Sequence, residues 1–173
     1  MSSSKTAEIM FDSMLTLAGY SNIACDFDKQ LLLTTADSVR PGRVTNVEAK
    51  RKEAGKQTKW SVTSAKTILD WVYGVDTVIA PCGTNNPTKF GFDVTLNPDE
   101  VKKKVEKLKA FAPLWKAVGI TKVAVVLIVP PKDFGFVLLT EEQKETLVDQ
   151  LLENVIYPMD EQSTLVRSYI LTI

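Results

Sequence analysis

The sequence predicts a mixed α/β fold in which helices flank a central sheet, and three observations carry that expectation. Apolar runs of strand length ("DTVIAPC", "KFGFDVTL", "VAVVLIV") alternate with stretches of helical period. Turn and capping residues mark the boundaries, notably Gly19, Pro41-Gly42, Gly74, Asn97-Pro98 and Gly119. The 173 residues are 45% hydrophobic and 24% charged, the size and make-up of one ordinary globular domain.

The first helix is expected from about Ser4 to Ala18. Phe11 and Leu15 share an apolar face, and Gly19 is the stop. Glu8 precedes Phe11 by three positions, so it points along that stripe. "SNIACDF" and "KQLLLTTA" lean towards strand. The residues from Asp37 to Lys50 then read as a hairpin turning at Pro41-Gly42, a pair suited to a type II turn. "EAGKQTKW" is loop-like, and Ser61 or Thr63 is the expected cap of a helix ending at Gly74. "DTVIAPC" and "KFGFDVTL" are strands, the first fully buried. Asn97, Pro98 and two following acids start a helix that Pro113 divides and Gly119 ends. "KVAVVLIV" is a buried strand, followed by the turn "PPKD" and the apolar "FGFVLL". Thr140 and Gln143 form a capping box for a last helix, and "TLVRSYILTI" closes the chain as a strand.

Composition excludes several chemistries. There is no histidine, so Ser-His-Asp triads, Cys-His pairs and His-ligated zinc sites are absent. Two isolated cysteines, Cys25 and Cys82, do not make a disulfide framework. Twenty-one basic residues balance twenty-one acidic ones, which argues against a basic nucleic-acid coat and leaves room for a local patch. The N-terminus lacks the pattern of a secretory signal, and no apolar run reaches membrane-spanning length. The expectation is a protein of the cytoplasm, intracellular and reduced, without a membrane partner.

In the hairpin register set by Pro41-Gly42, Asp37 faces Asn46, and Asn46, Glu48 and Lys50 alternate onto one side. Asp37 and Glu48 become diagonal neighbours with Cα atoms about 7–8 Å apart. Two carboxylates at that separation can share a hard cation such as Mg²⁺ or Mn²⁺. A neighbouring lysine can orient water or offset charge at phosphorus. Glu100-Val-Lys102 and Glu142-Gln-Lys144 have the same spacing but sit on expected helices, where they read as solvated faces. "KRKEAGKQTK" is basic enough to follow a nucleic-acid backbone or to be a soluble loop. Trp60, Trp71 and Trp115 read as core or edge packing and Cys82 as structural.

The pattern "Ala36-Asp37 … Glu48-Ala-Lys50", with Glu8 on helix one, resembles the PD-(D/E)xK nuclease superfamily. "KTAEIMFDSMLTLAGY" and "SAKTILDWVYGVDTVIAPC" look like the corresponding helices and strand of its Holliday-junction-resolvase-like members. The resemblance spans residues 4–82 and implies a restriction-endonuclease-like mixed central sheet flanked by helices. Residues 88–173 would be a C-terminal α/β extension of the same domain. Asp37 and Glu48 would be metal ligands with Glu8 a further one, and Lys50 would serve catalysis. Lys66 would contact a phosphate, as basic residues there do in similar nucleases, or be a solvated helix lysine, and Lys52, Lys56 and Lys59 are the nucleic-acid contacts of the basic stretch if it follows a backbone. The family has Pro where this chain has Ala36, and Asp26 or Asp28 takes over as ligand if the strand is shifted. The function implied is a Mg²⁺- or Mn²⁺-dependent endonuclease, DNA favoured over RNA, of a kind that commonly works as a homodimer. The alternative is a non-catalytic binding or structural accessory protein, of viral or mobile-element type, on the same scaffold.

Overall fold

The computed structural model describes residues 3–17, 19–80, 89–128 and 166–171. Helix α1 (Ser3–Leu17) buries Ala7, Phe11 and Leu15 at intervals of four, and Gly19 ends it at φ 88°. Phe11 meets Phe92 edge-on, with ring centroids 5.1 Å apart. This contact seats α1 on the sheet.

The segment read as two strands and a hairpin is helical. Ala24–Asp26 is a single 3₁₀ turn, Lys29–Val39 is α2, and Arg43–Glu53 is α3. The physical reason lies in spacing and caps. Asp28 accepts a hydrogen bond from the Leu31 amide and so caps α2, while Leu32 and Ala36 bury one helical face. Val44, Val47 and Arg51 are buried at intervals of three and four, which is helical period and not alternation. The Pro41-Gly42 turn forms, with the Arg43 amide bonded to the Arg40 carbonyl and Gly42 at φ 83°. It joins two helices instead of two strands.

Trp60–Val62 makes a 3₁₀ turn, and Ser64, not Ser61 or Thr63, caps α4 (Ala65–Ile68) through the Thr67 amide. A π turn over Leu69–Tyr73 continues α4 and stops at Gly74, φ 75°. The sheet runs β1 (Thr77–Ile79), β2 (Lys89–Thr95), β3 (Ile120–Ile128) and β4 (Val166–Leu171), in that spatial order. β1 and β2 are antiparallel, β2 and β3 parallel, β3 and β4 antiparallel, so the sheet is mixed. "KFGFDVTL" thus lies inside the central sheet. The β2–β3 crossover carries a Pro98–Glu100 turn begun by Asn97, then α5 (Val101–Ala110) and α6 (Ala112–Ala117), divided by Pro113 as expected. Leu108, Leu114 and Trp115 pack under it, and Trp115 donates to the Leu108 carbonyl at 2.9 Å. "FGFVLL" and the Thr140–Gln143 capping box lie outside the described residues. No helix among the described residues is long and apolar enough to cross a membrane.

Gly91 shows how tightly β2 is packed. A Cβ there would lie 2.8 Å from Val75 Cγ1 and 3.3 Å from both Ile120 Cγ2 and Val123 Cγ1. Gly91→Ala is expected to lower stability by about 1–3 kcal/mol through overpacking, read as a lower urea midpoint at unchanged slope.

Candidate metal centre

Four acidic residues converge where α1, the π turn and the start of the sheet meet. Glu8 comes from α1, Asp70 from the π turn, Asp76 from the residue before β1, and Asp93 from the middle of β2. Carboxylate oxygens of Glu8, Asp70 and Asp76 lie within 4.8 Å of one another. The fold fixes Asp76 firmly. Its amide donates to the Phe92 carbonyl at 2.8 Å, and its Oδ2 accepts from the Val94 amide at 3.0 Å.

Burial first, and neighbouring charge second, set the protonation of this group. Burial, followed by the charges of Asp70 and Asp93, pushes the Asp76 carboxyl well above the usual range. Burial and Asp70 also raise Glu8, against the opposing pull of Lys66. Asp93 behaves in the opposite sense. Burial pushes it up, but Lys107 and Lys104 outweigh that and hold it below its ordinary value. Both ammonium groups lie 3.0 Å from its oxygens.

The pH consequence follows from these opposed directions. A raised Asp76 binds its proton more tightly when folded, so its contribution is present at low pH and lost as pH rises through the raised pKa. A depressed Asp93 contributes above its ordinary pKa, and that is lost as pH falls. Cation-free stability is therefore expected to peak on the mildly acidic side. Added Mn²⁺ should flatten the fall towards neutral pH, a result that melting curves in EDTA and in Mn²⁺ would check.

The donor set suits a hard divalent cation. It offers oxygen atoms alone, and a cation would relieve the repulsion that raises Asp76. The carboxylates line a cleft of about 510 Å³ that also holds Lys5, Arg51, Lys56 and Lys66. Lys66 Nζ stands 3.9 Å from Glu8 Oε2 and 3.7 Å from Asp12 Oδ2. Asp12 is anchored in turn by the Thr77 hydroxyl at 3.1 Å. Arg51 is nearly buried, lies near the Trp60 and Trp71 rings, and donates twice to the Gln57 carbonyl.

The residues expected from the sequence fare differently. Glu8 is at the centre, and Lys56 and Lys66 line its cleft. Asp37 is exposed and accepts from the Val44 amide at 2.9 Å, capping α3. Glu48 and Lys50 sit two positions apart on α3, about 200° around the helix, so the shared strand face does not exist. Lys50 is exposed and lines an adjoining cleft that also touches Asp70. Lys52 and Lys59 are exposed and outside the acidic cleft. Of the substitute ligands, Asp28 caps α2 and Asp26 is exposed in the 3₁₀ turn.

Sequence reasoning missed Asp70, Asp76 and Asp93. The available signal was an acid set into an otherwise apolar run, as in "GFDVTL" and "YGVDTVIA". A charge in a buried strand needs a partner, and that question leads to the cluster. The chain matches no family model, no curated protein and no solved structure.

Proposed function

We propose that the chain is a divalent-cation-dependent hydrolase of phosphodiester bonds in nucleic acid, DNA favoured, with a restriction-endonuclease-like core. The observation that carries this reading is the Glu8, Asp70 and Asp76 cluster on the wall of a cleft that also holds four cationic side chains. Carboxylates beside cations suit a phosphodiester, which brings its own negative charge to a metal-binding centre. Glu8, Asp70 and Asp76 would hold Mg²⁺ or Mn²⁺, in place of the Asp37 and Glu48 pair that the helices part. The cation supplies Lewis-acid activation of water and charge relief at phosphorus.

The chain's own residues do the rest. Lys66, held beside Glu8, faces the incoming phosphate and offsets the charge that develops on its oxygens. Lys56 binds a flanking phosphate oxygen, and Arg51, held by the Gln57 carbonyl and the two tryptophan rings, adds positive charge to the cleft wall. Asp93, neutralised by Lys104 and Lys107, supports Asp76 from behind.

The test is incubation with supercoiled plasmid, a branched DNA and single-stranded DNA and RNA, in Mg²⁺, in Mn²⁺ and in EDTA. Cleavage that needs the cation is the expected result. A second reading, a non-catalytic binding protein, has one observation in its favour: Lys104 and Lys107 pair with Asp93 and Lys66 stands beside Glu8, so part of the cluster's charge is offset without a cation. No cleavage, together with no shift of melting temperature in Mn²⁺, would select it.

A further inference from the structure

A second cleft of about 340 Å³ adjoins the acidic one, and Asp70 and Trp71 line both. Its other walls include Arg43, Lys50, Lys107 and Phe111. Lys107 also lines a third hollow with Glu100, Lys103 and Lys104. Cations therefore line both clefts, which meet at Asp70 and Trp71, in a chain whose charges otherwise balance to zero.

Lys107 of the second cleft is paired with Asp93, but Arg43 has no such partner among the described residues, and Arg40 stands beside the cleft, against Phe111. Arg40 and Arg43 lie over the same Phe111 ring, with guanidinium carbons 5.4 and 4.4 Å from its centroid. Arg43 spends its hydrogen bonds on the Trp71 and Val72 carbonyls, and Arg40 on that of Ala110. Among the described residues neither arginine has a carboxylate partner within 4.0 Å. Burial and the neighbouring Arg40 lower the affinity of Arg43 for its proton. Two like charges on one ring, neither paired with a carboxylate, form a place that gains from an anion even with Asp70 on the same cleft wall. Aromatic side chains beside a cationic groove are the arrangement that binds single strands, with phosphates on the cations and bases against the rings.

We propose that this second cleft is a backbone subsite, and that the substrate is a single strand of nucleic acid laid across Asp70 and Trp71 so that its phosphates enter both clefts. The proposal rests on the phosphodiesterase reading for the chemistry, but its binding claim stands on the cations of the two clefts alone.

Binding is measured in EDTA, so that cleavage plays no part. The probes are fluorescent oligothymidylates of increasing length and a hairpin duplex, each titrated by anisotropy over a range of salt. Expected are affinity that rises with length until both clefts are filled, and weaker binding of the duplex. Lys50→Ala should bind the longer strands several-fold more weakly, with a salt slope shallower by about 0.7. Lys50→Glu should do so more strongly. Lys109→Ala removes an exposed lysine outside these clefts and serves as the charge control. Equal losses in the Lys50 and Lys109 variants, no length dependence, or preference for the duplex would overturn the proposal. Hydrolysis of bis(p-nitrophenyl) phosphate by the unmodified protein in Mn²⁺ reports separately on the phosphodiesterase reading. That diester is too small to need the second cleft.

Discussion

Asp76→Asn is expected to abolish cation-dependent cleavage, by on the order of 100-fold or more, while leaving the protein folded. The asparagine keeps the shape of the side chain and an oxygen to accept from the Val94 amide, so the buried backbone group stays satisfied. It removes the charge whose burial beside Asp70 and Asp93 is unfavourable. The melting temperature in EDTA should therefore hold or rise, while the Mn²⁺-induced shift disappears because a ligand has become neutral. This pairing of gained stability with lost activity marks a residue kept for function. Calorimetric melts with and without Mn²⁺, beside a cleavage assay, read both. A Mn²⁺ shift that survives the substitution would move the cation elsewhere.

Replacing both Lys104 and Lys107 by methionine should produce the largest loss of stability, about 3–5 kcal/mol at neutral pH. Asp93 is 1% exposed, and each of its oxygens has an ammonium group at 3.0 Å. The double variant leaves a buried carboxylate uncompensated. The effect should shrink as pH falls, because protonating Asp93 removes the stranded charge. Adding Asp93→Asn to the double variant should recover much of the loss. Urea denaturation of the unmodified protein, the double variant, Asp93→Asn alone and the triple variant, at neutral and acidic pH, checks the cycle. Failure of the third substitution to rescue would mean that the lysines stabilise by packing their stems, and not by charge.

What was legible in the sequence depended on how local the signal was. α1, the strands "DTVI", "KFGFDVT" and "VAVVLI", and the break at Pro113 each rest on a cap, a proline or an apolar run that neighbours decide. Residues 29–50 misled because "LLLTTA" and "VTNV" favour strand by composition, while the helix depends on the Asp28 cap and on burial of Leu32, Ala36, Val44 and Val47. A hairpin at Pro41-Gly42 puts Asp37 and Glu48 on one face, which the two helices do not provide. Glu8 was readable because an acid interrupted an apolar stripe. Asp70, Asp76 and Asp93 were harder, since only tertiary docking of α1 on the π turn and β2 brings such distant segments together.

The π turn between α4 and β1 makes the site a matter of chain length as much as of chemistry. An extra residue in one turn rotates all that follows by about 100° relative to an α-helix. Asp70 sits in that turn, and only a short link separates it from Asp76, which enters a strand whose side chains alternate. Losing one residue from Leu69 to Val75 would regularise the helix or flip the strand, and either would part the two carboxylates. Related chains should therefore keep the number of residues between Asp70 and Asp76 as strictly as they keep the buried side chains of Val72, Tyr73 and Val75.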